Sequence, residues 1–300
     1  MRRLRTWGPG LLLLSPSIIL VGIFVYWLIG VNVQTSLART TDRITGRITN
    51  PGGLTNYTNL LADARYQHAL WNLLVLTVVF ITGAMFFGVL WAVLLERGVF
   101  GEGVFRSVYL FPMAISFVAA GVTWRWLLSP AMDDQAIGLN QLFVNMGMPW
   151  LQSKWWSDPG PFNMAAMAIP AIWQLSGYIM ALFLAGFRGI SADQREAARV
   201  DGATEWQLYR HVLFPQVSPV ALSALIILGH MSMKMFDLIY SIAGANSYTA
   251  EVPATYMWIQ LFPQSNPTGA ATNATIILVI VALLVVPYLI YTHRTEKGGR

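Results

Sequence analysis

Six long apolar runs constrain this chain more than any other feature. They fall at roughly 11–36, 70–95, 104–128, 162–187, 217–240 and 272–292. A helix of about 20 apolar residues crosses the roughly 30 Å hydrocarbon layer of a bilayer. No water is present there to satisfy a free backbone group, so each run is predicted to be a helix. Prolines at 16, 112, 170, 219 and 287 lie in or near these runs. They are compatible with helices in lipid where neighbours or water satisfy the freed carbonyls. The length of 300 residues would allow two soluble domains, but only 11% of the residues are charged. A soluble domain carries about 25%. A chain this poor in charge cannot cover a water-facing surface, and lipid has to supply the outer solvent. The expected fold class is therefore all-α: a polytopic membrane protein with six transmembrane helices, forming one domain over 1–300.

Lysine and arginine set the expected direction of crossing. With the N-terminus inside, the inner segments hold Arg2, Arg3, Arg5, Arg97, Arg106, Arg188, Arg195, Arg199, Arg210, Arg294, Lys297 and Arg300. The outer loops hold only Arg39, Arg43, Arg47, Arg65 and Lys154. Both termini are therefore expected in the cytoplasm. The start "MRRLR" and the triplet Ser36-Leu37-Ala38 resemble parts of a cleaved signal, but the apolar run is longer than an h-region of about 7–15 residues. An uncleaved first helix is expected. The formal charge of +5 does not gather on one face, so it reads as topology and not as a nucleic-acid surface. Cysteine is absent, which excludes disulfide and thiolate chemistry. The longest connections, 37–69, 129–161 and 241–271, fall outside. "MPWLQSKWW" in the second of them places Trp150, Trp155 and Trp156 where interfacial aromatics sit.

The largest inner connection is 188–216, and it is rich in charge. Ser191 and Gln194 have capping-box spacing for a helix through "DQREAARVD". Gly202 follows, as a residue past a helix end often does. Thr204 and Gln207 repeat the box for a second helix, which Pro215 is expected to close. Apolar residues lie on more than one side of this insert. That pattern suits either a solvated hairpin or a segment held between the membrane bundle and a cytoplasmic partner.

The stretch "EAARVDGATEWQLYRHVLFP" closely resembles the EAA motif of permease subunits of binding-protein-dependent ABC importers. The motif is EAA, three residues, Gly, nine residues, then Ile-x-Leu-Pro. It falls here on Glu196, Ala197, Ala198, Gly202, Val212, Phe214 and Pro215 without a spacing error, with Val for Ile and Phe for Leu. The flanking "FLAGFRGISADQR" and "SPVALSALIIL" resemble the maltose-type sugar permeases. "HMSMKMFDLIYSIAG", "EVPATYMWIQLF" and "VVPYLIYTHR" look most like glucose/mannose-type permeases within that branch. The Gly-Gly-Pro run usual after the fifth span is replaced by "GANSYT". The resemblance covers about 70–292 and implies a cytoplasmic coupling-helix loop at 188–216 that docks in a groove of an ATP-binding subunit.

Ionisable residues inside spans are costly and serve as functional candidates. His230, Lys234 and Asp237 have i, i+4, i+7 spacing and would share one face of a continuous fifth helix. They read either as cavity residues or as an Asp–Lys pair reaching the outer interface beside a hydrogen-bonded histidine. In the fourth span, Trp173, Gln174, Ser176 and Tyr178 supply an aromatic ring, an amide and hydroxyls, which suit a neutral sugar. The same residues could serve as packing glue between helices. Pro170 and Gly177 are expected to loosen the helix around them. Asn273 is a further candidate on the substrate path, and Arg125 is a candidate at an outer gate.

There is no H-E-x-x-H, no G-x-S-x-G and no metal spacing among His68, His211, His230 and His293. There is also no G-x-x-x-x-G-K-[ST] phosphate loop. The chain is therefore expected to be a non-catalytic permease subunit that binds no cofactor. The resemblance implies that ATP and Mg are bound by partner subunits. It implies two ABC ATP-binding subunits, a second sugar permease forming a heterodimer, and an extracytoplasmic sugar-binding protein. It places the whole in a prokaryotic cytoplasmic (inner) membrane, importing a sugar by alternating access. A proton-coupled secondary transporter using His230 and Asp237 is the alternative, and a scaffold without a transport path is a third reading.

Overall fold

The computed structural model describes residues 13–41, 48–244 and 246–298. Arg2, Arg3, Arg5, Arg43, Arg47 and Arg300, used above for topology, lie outside them. In chain order the main elements are α1 (Leu13–Ser36), β1 (Ala38–Thr41), β2 (Ile48–Pro51), α2 (Thr55–Ala62), α3 (Ala64–Glu96), α4 (Glu102–Leu110), α5 (Phe117–Leu127), α6 (Leu139–Asn145), α7 (Pro161–Arg188), α8 (Ala192–Val200), α9 (Glu205–Leu208), α10 (Ser218–Met233), α11 (Phe236–Ala243), α12 (Pro253–Leu261) and α13 (Pro267–Gly298).

Helices α1, α3, α7 and α13 are long and apolar enough to cross a membrane unaided. Two further crossings arise only if a bent pair counts as one span, which gives four to six in all. One pair is Glu102–Ala114 with α5, bent by 96°; the other is Glu205–Gln216 with α10, bent by 66°. The expectation of one continuous helix at 104–128 is thus corrected. Pro112 sits in a 3-10 turn, Phe111–Ala114, and Ser116 takes an extended conformation and caps a new helix by accepting from the Ala119 amide at 3.2 Å. The span expected at 217–240 also breaks, at Lys234 and Met235, where the backbone leaves the helical region (Met235 ψ 65°) before α11 begins. No proline or glycine marks that break in the sequence.

The chain forms two compact units. One comprises residues up to Gln67 and Tyr256–Val279. Its β1–β2 pairing is antiparallel and irregular in register, and it is the departure from an all-α chain among the described residues. Thr and Ile in this polar connection favour extended backbone, and the amides of Gly52 and Gly53 both donate to the Leu37 carbonyl (2.8 and 3.0 Å). The Asn56 side-chain amide ties α2 to the end of α1, donating to the carbonyls of Ser36 (2.8 Å) and Ala38 (2.6 Å).

The second unit comprises His68–Thr255 and the residues from Ile280. Helix α7 lies at its centre: Met164, Met167, Ala168, Ala171, Ile179, Met180 and Phe187 are fully buried. Small residues bring the backbones together around it. A Cβ at Gly88 of α3 would stand 2.5 Å from Ile179, and one at Gly177 would stand 1.9 Å from the Tyr109 carbonyl oxygen. Lipid offers no hydrophobic gain for helix association, so such close van der Waals fits hold spans together. Gly177, expected to loosen α7, is instead a packing contact in an uninterrupted helix.

Candidate functional site: a helical loop and an aromatic cavity

Residues 188–216 fold as a helix, a tight turn and a second helical stretch. Helix α8 ends in a Schellman motif: the Gly202 amide donates to the Arg199 carbonyl (3.0 Å) and the Ala203 amide to the Ala198 carbonyl (3.0 Å). Gly202 has φ +81°, the left-handed region that glycine enters without the Cβ penalty. Thr204 then starts α9 through a formed capping box with Gln207. The box expected at Ser191 does not form; Ser191 stands at the N-cap without a side-chain bond. Pro215 stands in the last turn of the second helical stretch, Glu205–Gln216, which passes through a π-helical segment, Tyr209–Leu213, and ends at Gln216 before the 66° bend into α10.

One face of this loop is built into the second unit. Leu208, Tyr209 and Leu213 are buried, and Ala198, Val212 and Phe214 pack against the same core. Glu96, the last residue of α3, fixes it. The Tyr209 hydroxyl donates to Glu96 Oε2 at 2.5 Å, and Arg195 Nη1 pairs with Glu96 Oε1. Arg195 Nη2 also donates to the Phe187 carbonyl at 2.5 Å, joining the end of α7. With the Arg195 and Glu96 side chains only 17% and 11% exposed, removing either partner costs about 3 kcal/mol, the low end for buried pairs. The Arg199–Glu205 pair across the turn is half exposed (3.1 Å) and adds little. Glu96 was not among the sequence candidates. It is the lone acid between Asp63 and Glu102 and sits where an apolar run stops, but its partners lie about a hundred residues away.

The opposite face is open. Glu196, Ala197 and Gly202 are exposed, Val200 is 86% exposed and Trp206 is 67% exposed. Val200 and Trp206 thus stand open beside charged residues on a loop that is anchored from behind.

The fourth-span candidates separate. Trp173 and Ser176 line a cavity of about 410 Å³ together with Phe87, Trp91, Tyr109 and Trp124. The Trp173 and Trp124 rings stand 5.9 Å apart. Gln174 does not line it. Its amide is buried and its Nε2 donates to the Ile115 carbonyl, which the bend between α4 and α5 leaves free. Its Oε1 has no hydrogen-bond partner. Tyr178 is half-buried and packs against the core.

The expected shared face of His230, Lys234 and Asp237 is not present, because the helix ends at Met233. His230 lies in the last turn of α10, Lys234 in the break, and Asp237 in the first turn of α11. Lys234 and Asp237 are exposed and His230 is half-buried. Asn273 is fully buried in the first unit, its Nδ2 3.3 Å from Gln260 Oε1. Arg125 is exposed in the last turn of α5. Among the described residues, no three His, Asp or Glu side chains are grouped to hold a metal ion.

Residues 84–294 match the model of the family described as "binding-protein-dependent transport system inner membrane component". A probable ABC transporter permease protein of Pyrococcus horikoshii is 35% identical over 96% of this chain and 96% of its own length. The xylose/arabinose import permease protein of Haloferax volcanii is 32% identical over 81% of this chain and 74% of its own. A chain from the crystal structure of a bacterial ABC transporter involved in alginate import shares the fold, with a TM-score of 0.78, 22% identity and 98% coverage of both chains.

Proposed function

The chain belongs to the binding-protein-dependent transport system inner membrane components, and on that premise we propose that it is the permease subunit of an ATP-driven importer of a neutral sugar. The carrying observation is the loop at 188–216, anchored to the bundle by Glu96 and open on its other face. In this reading Glu196, Ala197 and Gly202 form the knob that seats in an ATP-binding subunit, with Ala198 packed behind it against the bundle. Val212, Phe214 and Pro215 carry its movement into α10. ATP and Mg are held by that subunit. The complete assembly has two such subunits, a second permease and an extracytoplasmic binding protein, and both termini of this chain are cytoplasmic.

The sugar passes the aromatic cavity, where Trp173 offers a ring to its C–H face and Ser176 a hydroxyl. The likeness to a xylose/arabinose permease supports a monosaccharide, and glucose or mannose is the member of that class we assign. Gln174 holds the bend that shapes the cavity wall. His230, Lys234, Asp237 and Asn273 are secondary candidates along the path, and Arg125 is the gate candidate.

Co-purification of the tagged chain from its native membrane, read by mass spectrometry, is the test. An ATP-binding subunit and a second permease are the expected companions. Recovery of the chain with neither would overturn the reading.

A further inference from the structure

Arg97 follows directly on α3, at the end beside the helical loop, and it has apolar space on both sides. One groove, about 330 Å³, is lined by Trp91, Leu94, Leu95, Val99, Phe105 and Tyr109. Another, about 510 Å³, runs along Phe86, Val89, Leu90 and Val93 to Trp206 and Phe214. Arg97 borders both. No carboxylate among the described residues forms an ion pair with it. Its guanidinium lies over the Tyr209 ring, 5.9 Å from the centroid, and Tyr209 is bound to Glu96. Next to it Val99 and Phe100 are exposed, Phe100 completely, as expected of side chains that enter an acyl-chain boundary.

We propose that these two grooves hold the two acyl chains of one anionic phospholipid, its phosphate against Arg97, and that this lipid steadies the 188–216 loop through Tyr209. Charge selects the occupant. An exposed arginine at a membrane surface attracts an anionic headgroup, and the apolar walls on either side of it take hydrocarbon. A free anion would use the arginine and leave both grooves empty. A helix of a second permease is the competing occupant, and crosslinking from the groove wall distinguishes it. The effect on the loop rests on the coupling role proposed above, but occupancy does not.

The complete co-purified transporter, in phosphatidylcholine vesicles with and without phosphatidylglycerol, provides the test. Lipid retained through native mass spectrometry is measured in the absence of sugar and ATP, so failure here is separate from failure of the transport reading. Wild type is expected to retain phosphatidylglycerol in preference to phosphatidylcholine. Arg97→Gln should reduce that preference about fivefold, the effect of one surface charge. Arg106→Gln, which removes an equal charge from α4, should leave it unchanged. Val89→Trp, which fills one groove without altering charge, should lower retention as well. In the same vesicles phosphatidylglycerol should stimulate ATP hydrolysis by wild type and not by Arg97→Gln. The proposal is overturned if wild type shows no preference, if Arg97→Gln keeps it, or if inorganic phosphate competes the lipid away. Capture of the second permease by a photocrosslinker at Leu94 would overturn it too.

Discussion

Trp173 and Gln174 are neighbours on α7 with opposite surroundings. About 100° of helical rotation separates them. Trp173 faces the cavity and is 40% exposed, whereas Gln174 is 2% exposed and bonded to the Ile115 carbonyl. In the proposed function this ring meets the sugar, and its removal leaves the buried polar contacts of α7 in place. Trp173→Ala is therefore expected to raise the KM for uptake about tenfold, equivalent to about 1.4 kcal/mol, with assembly and basal ATP hydrolysis retained. Removing the amide strands a buried carbonyl at a cost of about 1–3 kcal/mol. Gln174→Leu is therefore expected to lower the thermal midpoint and the yield of complex, with the KM of the surviving transporters unchanged. Uptake kinetics in vesicles, normalised to complex recovered, separate the two. A raised KM in Gln174→Leu would make it a sugar contact after all. Residue types were legible in the sequence here, but their assignment was not. The carbonyl that uses Gln174 belongs to a bend in another span, 59 residues away, and spacing within one helix carries no trace of it.

At the scale of elements, the helical loop was read more fully than the spans. Gly202 and the Thr204–Gln207 box are local signals, since each acts within a few residues, and the structure shows the turn and the cap they encode. The Ser191 box has the same spacing and does not form. The break in the fifth span was missed because an apolar run looks alike whether its helix is straight or bent, and the break in the third because Pro112, which marks it, is also compatible with a continuous helix in lipid. Gly202 also gives the element its clearest test. A Cβ there meets nothing within 4 Å in this chain, so substitutions act through backbone conformation and through any partner. Left-handed backbone costs a residue with a Cβ about 1–2 kcal/mol, and asparagine tolerates it better than β-branched residues do. Gly202→Val is expected to insert normally, lose ATP-binding subunit on co-purification and lose uptake. Gly202→Asn is expected to recover subunit binding and most of the uptake. If the two variants behave alike, conformation is not what the partner reads at this turn. If Val is neutral, the loop does not dock there.

At the scale of the whole molecule, the choice between an ATP-driven and a proton-driven carrier turns on which polar groups are connected. The proton reading uses His230 and Asp237, and the break after Met233 divides them between α10 and α11. Asp237 is exposed, and its backbone carbonyl accepts from Ser241 at 2.7 Å. Glu96, Arg195 and Tyr209, by contrast, form one connected group joining the 188–216 loop to the ends of α3 and α7. In the proposed mechanism this group would carry movement of the loop into two long helices, whereas His230 and Asp237 lie on separate helices. Sugar uptake by the complete transporter in sealed vesicles is accordingly expected to require ATP on the side of the loop and binding protein on the other. It should continue at an unchanged rate after a protonophore has collapsed any proton gradient. His230→Gln, which preserves size and hydrogen bonding but cannot carry a proton at neutral pH, should leave this ATP-dependent rate within about twofold, a shift of about 0.4 kcal/mol. Arg195→Gln should leave sugar binding intact and depress uptake more than ATP hydrolysis, because it loosens the joint between the loop and the helices. Uptake that stops with the protonophore and ignores ATP would return His230 and Asp237 to the centre of the mechanism.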